Sequence, residues 1–355
     1  MEGGARRFSP WYAGSVPVRP PYGRAGAWSG KGSQMKHLSK RRLGKEMEWY
    51  SFLIVSIVTL AVLAYLPMLT TIKYSFFEIR VLGYDCSFCG LQNFKILMSS
   101  KAFLSSLATT FILAALSLLV IPLGLVLANL INSLGRTRTQ SFFRVTYYLP
   151  NIITGVSIVL IFQVVLKENG GLLNNLISLF AGHDVAIGWL SDMRYSRFGV
   201  TILYIWQNLG YSMLINLASL QSIPTEIYEA AECDGAGTWR RFMHITIPYM
   251  APCFSFLFIT TMITGLARFT DLFIIGNNTA AGRPGGTLQT LMMYIYQYSF
   301  EYPQYGLASA GAMILFILTF VITMFNLRLT GMFRTTETKA ARRERRKGAA
   351  ARGSL

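Results

Sequence analysis

Apolar residues in this chain cluster into blocks of roughly twenty, long enough to cross a bilayer and divided by shorter polar runs. Six such blocks can be read, at residues 52–72, 103–131, 145–166, 198–220, 251–275 and 305–327. At a rise of ~1.5 Å per residue each is long enough to cross ~30 Å of hydrocarbon. The pattern predicts an all-α, polytopic membrane protein with six transmembrane helices. Pro67, Pro122, Gly124, Pro150 and Gly210 fall inside these blocks and predict kinks, which membrane helices tolerate where neighbours satisfy the freed backbone groups. Between the third and fourth blocks, Gly170 and Gly171 precede Leu172, Leu173, Leu176, Ile177, Leu179 and Phe180. That spacing fits a short helix lying along the membrane surface, and equally a greasy loop packed on helix ends.

Composition agrees with a membrane protein. Of 355 residues 52% are hydrophobic and 14% charged, against roughly 25% charged in an average soluble domain. The formal charge of +17 raises the question of nucleic acid. The basic residues, however, sit at the termini and between apolar blocks rather than on one folded face, so no nucleic-acid partner is expected. Residues 1–47 are basic and rich in Gly, Pro and Ser, with no apolar period, and are read as a disordered cytoplasmic segment. Met35 offers an alternative start to Met1, and no cleavable signal peptide is expected, since the first block is long and starts past residue 50.

Charge also sets the orientation. With the N-terminus inside, the inner connections collect Lys36, Lys40, Arg41, Arg42, Lys45, then Arg136, Arg138, Arg144, Arg240 and Arg241, and finally the tail at 332–355 with Arg342, Arg343, Arg345 and Arg346. The outer connections hold only Arg80, Lys95, Lys101, Lys167, Arg194, Arg197 and Arg283. Basic residues favour the cytoplasmic side, and an even number of spans returns the C-terminus there. Both termini are therefore expected in the cytoplasm of a cell (inner or plasma) membrane protein bounded by membrane lipid.

Several chemistries are missing. No G-x-x-x-x-G-K-[ST] phosphate loop occurs, and Gly30-Lys31-Gly32 fails its spacing. His37, His183 and His244 are isolated from one another, and no G-x-S-x-G or H-E-x-x-H is present. Neither catalytic residues, a metal site nor a cofactor is expected. Cys233 and Cys253 read as small apolar fillers. Cys86 and Cys89 form a C-x-x-C without further ligands, either a local disulfide or two thiols.

The connection at 222–248 carries more information. Ser222 and Pro224 suit a helix start, Glu226 and Glu229 favour its positive end, Gly235 and Gly237 allow a sharp turn, and Thr238 can cap a second helix before Pro248. Ala230 and Ala231 leave a low surface against which another protein can sit. Physical reasoning alone permits either a compact connector or a docking element. Glu229-Ala230-Ala231, three residues, Asp234 among them, then Gly235, nine residues and Ile245-x-Ile247-Pro248 resembles the EAA signature of inner-membrane permeases in binding-protein-dependent ABC importers. Ile247 stands where leucine is usual. Gly90-Leu91-Gln92-Asn93-Phe94, Pro284-Gly285-Gly286-Thr287 and Tyr305-Gly306-Leu307-Ala308-Ser309-Ala310 resemble elements of the maltose and glycerol-3-phosphate branch.

The resemblance implies a type I ABC importer permease fold over 48–331. It also implies a second permease subunit of similar fold, an ATP-binding cassette ATPase dimer, an extracytoplasmic solute-binding protein and a sugar, oligosaccharide or polyol phosphate substrate. ATP hydrolysis would lie in the partner ATPase, not in this chain. Glu229, Ala230, Ala231, Asp234, Gly235, Ile245 and Pro248 would form the ATPase-coupling segment. Leu209, Gly210, Tyr211, Met213, Arg268 and Asp271 would line the substrate path, with Tyr204, Trp206, Gln207, Asn208 and Asn216 as further stacking and hydrogen-bonding candidates. Arg268 and Asp271 are three residues apart on one helical face, so they either line the path or pin the fold as an ion pair.

Two rivals remain at this stage. A stand-alone secondary transporter calls for paired ionisable residues across repeated halves, and a non-transporting scaffold has no use for the EAA segment. Topology is directly testable: cysteines placed at residues 90 and 285 are expected to react with impermeant reagents from outside, and those at 138 and 345 only after permeabilisation. The reverse pattern would remove the EAA segment from the cytoplasm.

Overall fold

In the computed structural model the described residues are 50, 53–81, 84–135 and 137–329. The basic head and tail expected at 1–47 and 332–355 lie outside them. By contact the chain divides at Leu66/Pro67. Helix α1, Leu53–Tyr74, is apolar over 22 residues, and its residues 53–66 are exposed throughout.

Beyond α1 comes a hairpin of strands β1, Phe77–Val81, and β2, Tyr84–Phe88, paired antiparallel with Phe77 opposite Phe88 and Ile79 opposite Cys86. The chain is otherwise mostly helical, as expected; the hairpin is a short addition between apolar blocks, where a five-residue strand leaves no long period to read. Then follow α2 (Gln92–Ser99), α3 (Lys101–Ser117), α4 (Val120–Asn132), α5 (Thr137–Ile152), α6 (Gly155–Val165) and α7 (Leu172–Ala181). Next are α8 (Ser196–Gln221), α9 (Thr225–Cys233), α10 (Thr238–Arg241), α11 (Ala251–Leu266), α12 (Thr270–Ile275), α13 (Leu291–Tyr296) and α14 (Tyr305–Leu329). The segment Leu172–Ala181 is thus a helix, with Leu172, Leu176, Leu179 and Phe180 exposed along it.

Four of these stretches are long and apolar enough to cross a membrane: Leu53–Tyr74, Lys101–Asn132, Ala251–Ile275 and Tyr305–Leu329. A fifth arises if α5 and α6 count as one span, although they bend by 100°. Pro150 inside α5 and the start of α6 at Gly155 account for that break. The expected fourth span is a single helix, α8, of 26 residues. It falls outside the apolar set because Arg197, Gln207, Asn208, Ser212 and Asn216 lie along it.

Prolines shape the helices by one recurring device. Three π turns, Ala61–Tyr65, Phe242–Thr246 and Gln297–Glu301, each end two residues before a proline: Pro67, Pro248 and Pro303. Proline has no N–H, and its ring collides with the carbonyl four residues earlier. In all three the residue before proline instead donates one position further back, Leu66 to Ala61, Ile247 to Phe242 and Tyr302 to Gln297. At Pro67 and Pro248 the widened turn makes room for the ring while keeping that N–H satisfied, and before Pro303 it closes the helix, which leaves helical geometry at Tyr302.

Within the unit from Pro67 onward, α8 is the central helix and packs on α4 and α5. One apolar cluster joins Leu113, Phe162, Leu203, Leu272 and Met293, and a second joins Ala128, Met213, Leu217, Ile223 and Met250. Close backbone approach replaces side-chain bulk where α8 meets its neighbours. A β-carbon on Gly210 would collide with the Tyr147 carbonyl of α5, and one on Gly124 of α4 would collide with Ser212. Small residues at such crossings let membrane helices gain dispersion contact. Gly210→Val is accordingly expected to lower stability by about 1–3 kcal/mol or more, as overpacking does, read as a fall in Tm of the purified protein. Gly237→Ala, at a position open on all sides, serves as the control with little change.

Candidate functional site

Two constellations stand out, one at the turn between α8 and α11 and one halfway along α8. In the first, α9 starts after Pro224, with Glu226 in its first turn. It ends in a left-handed Gly235 at φ +73°, which closes through Ala236 N–H to Ala231 O at 2.9 Å. Gly235 is needed for that φ, since its β-carbon would meet no neighbour. Two capping expectations are corrected. Ser222 Oγ donates to Ser219 O at 2.7 Å and finishes α8, and Gly237 rather than Thr238 precedes α10. In both cases the chain turns one or two residues away from the nearest hydroxyl.

Glu229, Ala230, Asp234, Gly235 and Pro248 are exposed, while Ala231 and Ile245 are half-buried. Ile245 and Tyr228 pack on the Met213–Met250 cluster. Tyr228 Oη lies 2.9 Å from Thr246 Oγ1, and Arg241 pairs with Glu232 at 2.9 Å. The α9 turn is therefore tied to the chain entering α11 at two points. Trp239, stacked on Phe242, is 70% exposed beside it. The motif thus gathers into an open ledge whose root is packed and whose face is free.

The second constellation is a cavity of ≈330 Å3 between α4, α5, α8 and α11. Tyr204, Asn208, Tyr211 and Ser212 face it from α8, Thr260, Thr261 and Thr264 from α11, and Asn151 from α5. Tyr204 Oη and Thr264 Oγ1 are 2.9 Å apart, which closes one wall. Of the residues expected on a substrate path, Tyr211 lines this cavity. Gly210 is a packing residue against α5, Met213 is buried in the apolar cluster, and Leu209 is half-buried outside the lining. Trp206 packs on Phe162 with the rings tilted by 50°, and Asn216 donates to Ser212 O, so both serve packing. Helical spacing dictates this split, because consecutive residues of α8 point about 100° apart. The missed members are Asn151 and the Thr260-Thr261-x-x-Thr264 run, whose hydroxyls inside an apolar block were the available signal.

Arg268 and Asp271 form their own node. The guanidinium pairs with Asp271 Oδ2 at 2.6 Å, with side chains only 4% and 16% exposed, and donates to Val200 O at 2.5 Å. It also lies over the Tyr204 ring at 5.0 Å, a cation–π contact. Neither Arg268 nor Asp271 reaches the cavity lining. Elsewhere, Cys253 Sγ contacts Ile215 O at 3.7 Å as a filler between helices, and Cys89 is a free thiol. The Cys86 side chain lies outside the described residues.

A profile of the family described as "Binding-protein-dependent transport system inner membrane component" matches residues 120–331. The chain belongs to this family. It is an ABC-type transport permease, and the matched region contains both constellations. The permease is 32% identical over 296 residues to the multiple sugar-binding transport system permease protein MsmF of Streptococcus mutans serotype c, covering 83% of this chain and 98% of that protein. It is 30% identical over 295 residues to the probable starch degradation products transport system permease protein AmyD of Thermoanaerobacterium thermosulfurigenes, covering 82% and 97%. In fold it matches a chain from the crystal structure of a bacterial alginate ABC transporter in complex with alginate pentasaccharide-bound periplasmic protein. There the TM-score is 0.68 at 23% identity, over 83% of this chain and 98% of that one.

The ion pair of the permease gives a stability prediction. Removing one partner of a buried pair leaves an uncompensated charge, so Asp271→Ala is expected to cost about 3–5 kcal/mol. The double variant Arg268→Met/Asp271→Leu is expected to recover most of that loss in thermal unfolding, because it removes the charge along with its partner.

Proposed function

We propose that this permease imports saccharides presented by an extracytoplasmic solute-binding protein, paired with a second permease and driven by an ATP-binding cassette dimer. The observation that carries the reading is the cavity halfway along α8, walled by tyrosine, asparagine and threonine side chains and free of formal charge. Hydroxyl and amide groups on an otherwise apolar wall are suited to a polyhydroxylated solute. The relatives whose names speak of sugars and starch degradation products support the same class.

In this reading the chain crosses the membrane six times, with α8 as the fourth span and the bent α5–α6 pair as the third. Residues 1–47 and 332–355 are cytoplasmic, and 48–331 form the membrane domain. The substrate path runs beside Tyr211 and its cavity neighbours, whereas Arg268 and Asp271 brace it from behind Tyr204. The ledge at 222–248 faces the ATPase. Glu229 offers a carboxylate for charge-assisted bonds to a basic cleft, Ala230 and Ala231 permit close approach, Asp234 and Gly235 set the turn, and Ile245 and Pro248 join it to α11. Movement of the ATPase would reach α11 through the Tyr228–Thr246 and Glu232–Arg241 ties.

The coupling role is tested by Glu229→Lys and Gly235→Val, neither of which touches the packed root of the ledge. Both variants are expected to insert and pair with the partner permease, yet to lose most substrate uptake and substrate-stimulated ATP hydrolysis. Normal uptake and hydrolysis with Glu229→Lys would remove that residue from the coupling surface.

A further inference from the structure

The cavity halfway along α8 is built from groups that have already committed much of their donor capacity. Thr264 has one hydroxyl proton, and its Oγ1 donates to the backbone, with Thr260 O at 3.0 Å and Thr261 O at 3.1 Å. Its 2.9 Å contact with Tyr204 Oη commits one further hydroxyl hydrogen and one lone pair between the two groups. Thr260 Oγ1 likewise donates to Phe256 O at 3.0 Å. Asn208 spends one N–H on Tyr204 O at 2.9 Å, and Asn151 spends one on Gln207 O at 3.5 Å. What remains free on these five side chains is mostly lone pairs, and Tyr211, Ser212 and Thr261 add hydroxyl groups to the same lining.

Charge is absent from the same surface. Among the described residues no Asp, Glu, Lys, Arg or His lines the cavity. The Arg268 cation behind the Tyr204 ring is neutralised by Asp271 at 2.6 Å. A group entering this space therefore meets neutral hydroxyl and amide groups and no ion. Sugar hydroxyls match such a surface, since each can both donate and accept. A carboxylate or phosphate would exchange water for a surface without a cation to pair with. That exchange is unfavourable for a charged group.

We propose that the permease is a filter for uncharged, polyhydroxylated saccharides and excludes uronates and sugar or polyol phosphates, with this uncharged cavity as the filter. The inference rests on the saccharide-import reading and narrows it. Its volume of ≈330 Å3, near the lower end of ligand pockets at about 300–1,000 Å3, suits a short stretch of glycan rather than a long chain held at once.

The test uses the whole importer, with its partner permease, ATPase and binding protein, in cells without other uptake routes. Radiolabelled maltotriose, lactose and arabinotriose are compared with trigalacturonate and glycerol 3-phosphate. At least one neutral probe is expected to enter, and each anionic probe at no more than about a tenth of that rate. Entry of an anionic probe as fast as the best neutral one would overturn the filter and leave the import reading standing. Entry of none by an assembled complex would overturn both. Asn208→Lys, which replaces an acceptor by a donor-only cation, separates this cavity from selection by the binding protein. In an assembled complex it is expected to raise the ratio of anionic to neutral uptake by about tenfold. If that variant does not assemble, Thr260→Lys on the facing helix makes the same change of charge. An unchanged ratio in an assembled variant would place the selection outside the cavity and overturn the proposal.

Discussion

A guanidinium held inside an apolar helical packing has to be matched in charge, and the arrangement around Arg268 follows from that requirement, with only its Nη1 left without a hydrogen-bond partner among the described residues. The helix breaks between Leu266 and Thr270, so Arg268 belongs to neither α11 nor α12. Its side chain can then reach Asp271 and Val200 O, while its own carbonyl is left free for Thr290 Oγ1 at 2.9 Å. Thr290 in turn caps α13 by accepting from Met293 N, and Leu291 N donates to Thr110 Oγ1 at 2.7 Å on α3. Arg197, at the start of α8, closes the ring by donating to Thr287 O and Thr109 Oγ1. One buried charge thus organises a helix break, a helix cap and the joining of α3, α8 and α13.

The opposite end of α8 is held by other means. There, besides long hydrogen bonds of Gln221 with Asn132 and Arg144 at 3.4 Å, the contacts are the Ala128–Met213–Met250 apolar cluster and the close approach of Gly124 to Ser212. Such contacts are non-directional, so they permit small sliding of one helix on another, whereas a directional polar network has few alternative arrangements. The ledge at α9 hangs from this less directional end. Its ties to Thr246 and Arg241 sit next to the π turn before Pro248.

Legibility from sequence followed the scale of each feature. Blocks of twenty apolar residues announce themselves, so α1, α3–α4, α11–α12 and α14 were visible. The polar load on α8 and the bend at Pro150 limit how far composition alone counts spans. The α9 ledge was readable as helix, glycine turn, helix because Gly235 has a backbone reason to be glycine, while its caps were misassigned by one or two residues. The cavity was half legible. Tyr204, Asn208 and Tyr211 were named, yet Gly210 and Met213 were not separable from them, since facing is set by how α8 packs on α5. Hydroxyls on α11 were overlooked because Thr in a membrane helix usually donates to its own backbone. That is what Thr260 and Thr264 do, while their lone pairs remain available to the cavity.

Tyr204 is where the two polar systems of the permease meet. One face of its ring carries the Arg268 guanidinium, and its hydroxyl completes the cavity wall through Thr264. The ring itself is apolar and separates the lining from the ion pair, so the cavity stays uncharged although a cation lies 5.0 Å from the ring centroid. A phenylalanine would preserve that separation but remove the hydroxyl that meets Thr264 Oγ1 at 2.9 Å. A smaller residue would open the pair to the cavity. The hydroxyl therefore belongs to the cavity wall and the ring to the fold. A neutral cavity beside a charged brace requires an aromatic side chain with a polar tip at that one position.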